Sequence, residues 1–381
     1  MNSDIFPVIE IHGTGVHNRG AELMAIAISE KLREVYPNVK IVVPSTFGQQ
    51  ADIKKYNFTT TFSFESRRKK HIYSLLMAIL SKNTINPKAV NVVLDASGFA
   101  FSDQWGHKPA LKLFKKMSSI TRKKQLLILL PQALGSFNKQ EVQSSIKVLF
   151  DRAEVVFPRD QQSLEYSLQI LNDDSKIKKS PDFTIDIKPL KKDTLTLPKN
   201  FVAIVPNYRM LDKSKDANEY LMFLKKGIDT IQQKNLNPVF IIHDGSEDLK
   251  VVEMLGKNYE NIEVIQDDDP RVLKWILGHA QFVIGSRFHA LVSTMSQGIP
   301  CIGVGWSHKY PELFTDFNNR EGLIENLSDF KELERQIIML ADLEERQEKS
   351  TRIISAAKKL KEQNALMWQK VILEIDKIFI K

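Results

Sequence analysis

The 381-residue chain carries a single cysteine, Cys301, inside an apolar strand-like run. One thiol cannot build a disulfide framework or a cysteine-rich metal site, and it fits a reducing compartment and a packing role. Long hydrophobic runs are missing as well: no stretch approaches the ~20 apolar residues that a helix needs to span a bilayer. The opening residues, Met1 to Pro7, hold Asp4 and lack both a basic segment and an apolar core, so they do not read as a signal peptide. Glycine (16) and proline (15) are too scarce for a collagen-like or low-complexity chain, and 43% hydrophobic content fits a folded globular protein. These absences place the chain in the cytoplasm and leave the inner face of the membrane open as its station.

Aromatic residues are absent from the basic clusters behind the net charge of +8, at Arg67–Lys70, Arg122–Lys124, Lys176–Lys179 and Lys191–Lys192. Solvated surface is the first reading of these clusters. Attraction to phosphorylated substrates or to an anionic membrane surface comes next. No nucleic-acid reader motif accompanies the charge, so nucleic acid is not expected as a partner.

A chain of this length exceeds one ordinary core, so two domains are the starting expectation. Strand and helix patterns alternate, as parallel α/β architecture requires. Strands are predicted at Pro7–His12, Val39–Pro44, Val90–Asp95, Leu126–Pro131 and Ala153–Phe157. A Lys-, Asp-, Ser- and Pro-rich segment from Asn172 to Asn200 reads as a linker. The alternation then restarts at Phe201–Val205, Pro238–His243, Ile262–Ile265, Phe282–Gly285 and Cys301–Gly305. The expected fold is two Rossmann-like domains facing a cleft, residues 1–185 and 195–328, followed by helices over 329–381. In the last helix Met367, Val371, Ile375 and Ile378 form an apolar stripe that suits packing back on the first domain; an amphipathic membrane contact is the lesser alternative.

The most informative stretch runs from Ala280 to Trp306. Phe282, Val283 and Ile284 suit a buried parallel strand. Ser286 reads as a helix N-cap, and Gly298 before Pro300 as the stop. Helical spacing assigns Phe288, Leu291, Val292 and Met295 to the core and puts His289 on another stripe with Ser293 and Ser296. Backbone N–H groups, the helix dipole, Arg287 and His289 thus converge on what reads as an anion site.

The N-terminal loop, with Gly13, Gly15, Asn18 and Gly20, follows an apolar strand and opens a helix through Leu23, Ile26 and Leu32. It fails as a dinucleotide fingerprint because Asn18 stands where the third glycine belongs and Val43-Pro44-Ser45 supplies no acidic ribose binder. No nicotinamide or flavin cofactor is therefore expected. A phosphate or sugar site and a purely structural turn both remain open. Asp95 to Gly106 combines carboxylates, Gln104, Trp105 and glycines suited to a sugar; Asp103 reads equally as a base or a turn cap. Asn207 and Arg209 follow the first strand of the second domain. In the usual doubly wound order that strand neighbours the fourth, which is followed by Arg287, so two guanidinium groups would face one crevice. Asp267 to Asp269 reads as a cap before Pro270, and no metal is expected.

Ile284 to Leu291, Gly298-Ile299-Pro300 and Gly305 to Tyr310 resemble the polysaccharide pyruvyl transferase family. The N-terminal glycine loop, Ser97-Gly98 with Ser102-Asp103-Gln104, Pro131 to Gly135 and Pro206 to Arg209 are similar to it too. The resemblance spans Ile9 to Leu313, with Phe288 where many members have Leu. It implies two Rossmann-like domains of the glycosyltransferase B type, phosphoenolpyruvate as donor, and a ketal formed on two sugar hydroxyls of a free or lipid-linked glycan. Carried onto this chain, it makes Arg209 and Arg287 donor ligands and His289 the general acid. Asn207, Ser286, His308 and Lys309 complete the donor-side set. Asp103 is the second catalytic candidate; Gly13, Gly15, Asn18, Ser97 and Gln104 form the acceptor or phosphate side. The chemistry agrees: an enol phosphate with a carboxylate needs two anion contacts and an acid that titrates near neutrality. A nucleotide-sugar glycosyltransferase of the same architecture is the alternative, and a non-catalytic carbohydrate-binding scaffold is the third reading.

Overall fold

The computed structural model describes residues 7–61, 84–119, 125–171, 174–213 and 217–379. The basic clusters Arg67–Lys70 and Arg122–Lys124 lie outside them. The chain divides into two compact units: Met1–His17, Met24–Phe183 and Asn364–Lys381 form the first, Asn18–Leu23 and Thr184–Gln363 the second.

In the first unit, Val- and Ile-rich runs suit strands covered on both faces. They form β1 (Val8–His12), β2 (Lys40–Val43), β3 (Thr59–Thr61), β4 (Thr84–Ile85), β5 (Val92–Asp95), β6 (Leu126–Gln132) and β7 (Val155–Pro158). All pairs are parallel, in the order β4-β3-β2-β1-β5-β6-β7. Sequence reading misses β3 and β4, which are two or three residues long and mostly threonine; the Thr60 and Thr84 hydroxyls meet at 3.3 Å where an apolar pair would have given a signal. Between strands lie α1 (Arg19–Val35), α2 (Gln50–Lys55), α3 (Lys108–Ser119), α4 (Gln140–Arg152) and α5 (Gln161–Ile170). α1 buries Leu23, Ile26 and Leu32 as their spacing predicts. Asp160 caps α5 by accepting from Ser163 N at 2.7 Å.

The second unit holds β8 (Phe201–Val205), β9 (Asn237–Ile242), β10 (Val264–Gln266), β11 (Val283–Gly285) and β12 (Cys301–Gly303), parallel in the order β10-β9-β8-β11-β12. Its first and fourth strands are neighbours, Ile204 in register with Ile284. Helices α6 (Arg209–Lys213), α7 (Ala217–Gln233), α8 (Gly245–Met254), α9 (Pro270–Leu277), α10 (Phe288–Met295), α11 (Lys309–Asp316) and α12 (Phe330–Ala341) connect and cover them. Phe201, Phe240 and Phe282 are fully buried between sheet and helices; truncating such a residue to Ala typically costs about 3–5 kcal/mol. Asp269 caps α9 through Arg271 N at 2.9 Å, with Pro270 in the first turn.

The chain leaves the first unit after Phe183, inside the segment read as a linker. That segment is packed: Ile177, Phe183, Ile185 and Ile187 are buried, and Arg159 meets Asp182 at 3.0 Å out of solvent. The long α13 (Leu343–Phe379) begins in the second unit and from Asn364 belongs to the first. There Met367, Val371 and Ile375 are buried, and Trp368 stands edge-on to Phe183. No helix among the described residues is long and apolar enough to cross a membrane. Each sheet changes winding direction at one place, between β1 and β5 and between β8 and β11. Open α/β sheets bind ligands beyond the carboxyl ends of such strands.

Candidate active site

At the β11–α10 junction the cap expectation is corrected. Arg287, not Ser286, occupies the N-cap position, and its side chain makes no capping bond. The Ser286 hydroxyl instead meets the Tyr220 hydroxyl at 2.8 Å, and its carbonyl accepts from Asn207 Nδ2 (2.7 Å) and Tyr310 Oη (2.9 Å). A fully buried hydroxyl goes to the polar partners that the surrounding elements bring, and here those lie on α7 and α11. Ser293 and Ser296, placed on the His289 stripe apart from the core residues, are themselves buried, and Ser296 Oγ bonds back to the Ser293 carbonyl. Within α10 His289 alone is not buried. Gly298 takes the left-handed backbone conformation (φ +83°) expected of the stop.

Arg287 was expected to offer an open anion contact, and its guanidinium is already engaged by carboxylates. Asp248 accepts from Nε at 2.9 Å and from Nη2, while Asp244 Oδ2 lies 2.7 Å from Nη1. Asp248 also accepts the backbone N–H groups of Tyr208 (3.0 Å) and Asp244 (3.1 Å). Burial pushes Asp248 toward its neutral form against the pull of Arg287. Burial likewise opposes the Arg287 charge, and the two carboxylates more than restore it. Such two-pronged, charge-assisted bonding fixes the guanidinium plane. His243 at the end of β9 is pushed down to about 3 by burial, then by the positive charges of Arg287, His289 and Arg19, so it is neutral at physiological pH.

Asn207 is buried and joins the carboxyl ends of β8 and β11: Oδ1 accepts from Arg209 N at 3.0 Å while Nδ2 holds Ser286. Arg209 itself is more than half exposed and meets Asp212 at 3.1 Å. Lys309 Nζ sits 5.3–5.5 Å from the ring centres of Phe288, Trp306 and Tyr310, cation–π contacts that place its charge beside α10. His308 stands at the N-cap of α11 without a capping bond. The first turn of α1 also belongs to this unit. Asn18 accepts from Ala21 N and donates to Asp244, both at 3.0 Å. A Cβ on Gly20 would stand 2.2 Å from His289 Nδ1, so glycine is what admits the imidazole.

The residues expected on the acceptor side are in the first unit apart from Asn18. Gly13 (φ +80°) lies so close to Ser97 that a Cβ would be 2.2 Å from its hydroxyl, and Ser97 Oγ donates to Asp95 at 2.8 Å. A Cβ on Gly15 would meet the His17 ring. Gln104 is exposed in a turn. Asp103 accepts from Ser136 Oγ (2.9 Å), Asn138 N (2.6 Å) and Lys139 N (3.1 Å). Slight burial raises its pKa, and these donors outweigh that and hold it below the usual carboxylate value. That is the turn-cap role, and a carboxylate so held is a weak base. Sequence reading gave no role to Asp248, Tyr220 or Tyr310. Asp248 had a faint signal, four residues after Asp244 in the first turn of a helix; Tyr310 closed the Gly305–Tyr310 motif without a role of its own, and Tyr220 had no signal.

A model of the polysaccharide pyruvyl transferase family matches residues 18–308. Curated protein sequences contain no match. Among solved structures, a Listeria monocytogenes protein assigned as a UDP-N-acetylglucosamine 2-epimerase shares 14% identity over 98% of this chain and 96% of its own, with a TM-score of 0.61. Anabaena HepE in complex with UDP-glucose shares 12% over 98% and 100%, TM-score 0.57. A Neisseria meningitidis UDP-GlcNAc 2-epimerase bound to UDP-GlcNAc shares 11% over 95% and 100%, TM-score 0.55. At these identities the likeness is one of fold: two parallel-sheet α/β units of the glycosyltransferase B type with a helical C-terminus. The matched span covers well over half the sequence, and the chain belongs to the polysaccharide pyruvyl transferase family.

Proposed function

We propose that this enzyme transfers a pyruvyl group from phosphoenolpyruvate to a pair of hydroxyls on a sugar, forming a ketal in cell-surface polysaccharide assembly. The family match over residues 18–308 carries the reading, and the placement of His289 supports it. His289, the one residue of α10 that is not buried, protonates the donor's methylene carbon. A hydroxyl then attacks the oxocarbenium carbon, and closure by the second hydroxyl expels phosphate. Arg209, Lys309 and the helix N-terminus hold the donor's anionic groups. Asp248 keeps Arg287 in position through Nε and Nη2, and the donor competes with Asp244 for Nη1. Gly13, Gly15, Asn18, Ser97 and Gln104 serve the acceptor side, a free or lipid-linked glycan.

A nucleotide-sugar donor is the second reading, favoured by the UDP and UDP-sugar complexes of proteins with this fold. Calorimetric titration of the protein with phosphoenolpyruvate and with UDP-glucose separates the two. Binding of phosphoenolpyruvate is expected. Binding of UDP-glucose alone, with acceptor sugars present, would sink the pyruvyl-transfer reading.

A further inference from the structure

Asp244, between β9 and α8, does not do what its position asks of it. It occupies the N-cap of α8, where an aspartate ordinarily accepts from backbone N–H groups of the first turn, here those of Ser246 and Glu247. The helix dipole favours the same placement. Yet the Asp244 side chain makes no capping bond. Its Oδ2 lies 2.7 Å from Arg287 Nη1 and accepts from Asn18 Nδ2 at 3.0 Å, and its Oδ1 accepts from Arg19 N at 3.4 Å. Asn18 and Arg19 lie in the segment Asn18–Leu23, which is part of the second unit. A guanidinium, an amide and the backbone N–H of the first residue of α1 thus converge on one carboxylate. Such a donor set is what an incoming phosphate or carboxylate group would use.

The two carboxylates on Arg287 are not equivalent. Asp248 is fully buried, and four donors hold it: Arg287 Nε and Nη2 and the backbone N–H groups of Tyr208 and Asp244. Asp244 keeps 14% of its side chain exposed. It also has a second place to go, because first-turn N–H groups of a helix find no partner within the helix. Gly245, next in the chain, is left-handed (φ +64°), and nothing stands within 4 Å of where its Cβ would be, so the turn is uncrowded. With both carboxylates ionised, the cluster holds more negative than positive charge. His243, neutral at physiological pH, adds no compensation. An anion therefore gains the Arg287 contact only by replacing a carboxylate. We infer that Asp244 is an internal substitute for the ligand's anionic group, holding Arg287 Nη1 in the free protein and releasing it by rotating to cap α8. The inference rests on Arg287 being an anion contact, as in the pyruvyl-transfer reading, but any phosphate or carboxylate ligand there meets the same opening cost. A neutral ligand meets none.

The test uses the full chain in three forms: wild type, Asp244→Ser and Glu247→Gln. Each is titrated calorimetrically with phosphoenolpyruvate, inorganic phosphate and UDP-glucose, and with methyl glucopyranoside as a neutral probe. Serine caps a helix without a charge, so Asp244→Ser keeps α8 capped and leaves Nη1 to the ligand. Its affinity for phosphoenolpyruvate and for phosphate should rise by a similar factor, roughly 3- to 30-fold. That is one charge-assisted contact no longer displaced, offset in part by the cap that wild type gains on opening. Affinity for the neutral sugar should not change. Glu247→Gln removes an exposed carboxylate from the same turn and should change anion affinity less than about 2-fold, which separates displacement from repulsion through solvent. Amide NMR gives a second readout. Phosphate or phosphoenolpyruvate should shift the Ser246 and Glu247 N–H signals of wild type as Asp244 turns to them, and should leave these signals in place in Asp244→Ser. Unchanged or weaker anion binding by Asp244→Ser overturns the inference, and so do Ser246 and Glu247 signals that stay put while wild type binds phosphate. The wild-type NMR result holds even where a variant folds poorly. Wild type that binds UDP-glucose but not phosphoenolpyruvate sinks the pyruvyl-transfer reading, and the same comparison then decides the role of Asp244 on UDP-glucose. Failure of wild type and Asp244→Ser to bind any anion overturns both.

Discussion

The two sheets handle buried charge at their winding switches in opposite ways. In the second unit Arg287 is enclosed by Asp248 and Asp244, and little of it reaches solvent. In the first, Glu10 is just as buried, yet its partners Lys116 and His12 each keep about a fifth of the side chain exposed. Desolvating a charge is costly, so a closed pair is stable only while both partners stay, and it acts as a brace. An open pair keeps part of each partner hydrated, which lowers the cost of holding the buried charge. On the pyruvyl-transfer proposal, positioning falls to the enclosed arginine and proton transfer to His289.

The largest expected effect tests the chemical half of that contrast. His289→Ala should lower turnover roughly 10²–10⁴-fold while phosphoenolpyruvate affinity, measured by calorimetry, stays near wild type. Turnover within a few-fold of normal would remove His289 from the mechanism. Next in size is the brace. Arg287→Ala strands the buried Asp248 carboxylate and should cost about 3–5 kcal/mol in urea unfolding, whereas Arg287→Met combined with Asp248→Leu should recover most of it. A loss under about 1 kcal/mol for the single substitution would mean that the pair braces nothing.

A smaller effect is expected at Arg209, whose side chain is exposed. Arg209→Lys keeps the charge but loses the planar fork, so phosphoenolpyruvate affinity should fall about 10- to 150-fold with unfolding free energy unchanged. Equal affinities would take Arg209 out of the donor site. The smallest effect sharpens the open pair. Because the Glu10 pKa in the folded protein lies below its ordinary 4.5, its ionised form adds stability above that pH, which is lost as pH falls through the folded value. Glu10→Gln should thus cost about 1–2 kcal/mol at pH 7, with the difference from wild type shrinking below pH 4.5. A difference that grows on acidification would reverse the assigned polarity.

Much of the architecture was legible because it rests on local rules. Runs such as Phe201–Val205 must be buried on both faces, and no helical stripe competes. Asp269-Pro270 and Gly298 mark a helix start and stop through caps and a left-handed backbone. The pairing of β8 with β11 followed from the doubly wound order. The threonine strands were not legible because their pairing gives no hydrophobic signal. Ser286 looked like a cap because serine before a helix usually is one; buried beside Tyr220 and Tyr310, it found stronger claims. Asp103, open between base and cap in the sequence, accepts three hydrogen bonds as a cap.

What the sequence determined alone is the class of chemistry on offer: parallel α/β units, glycine turns, and an Arg287-Phe288-His289 step from strand to helix. What only the tertiary structure decided is which charges remain available. Asp248 lies 39 residues from Arg287, Tyr220 lies 66 from Ser286, and Lys116 lies 106 from Glu10. Local propensities act over a few residues, whereas the neutralisation of a buried charge depends on whatever group the fold carries to within a few ångströms of it.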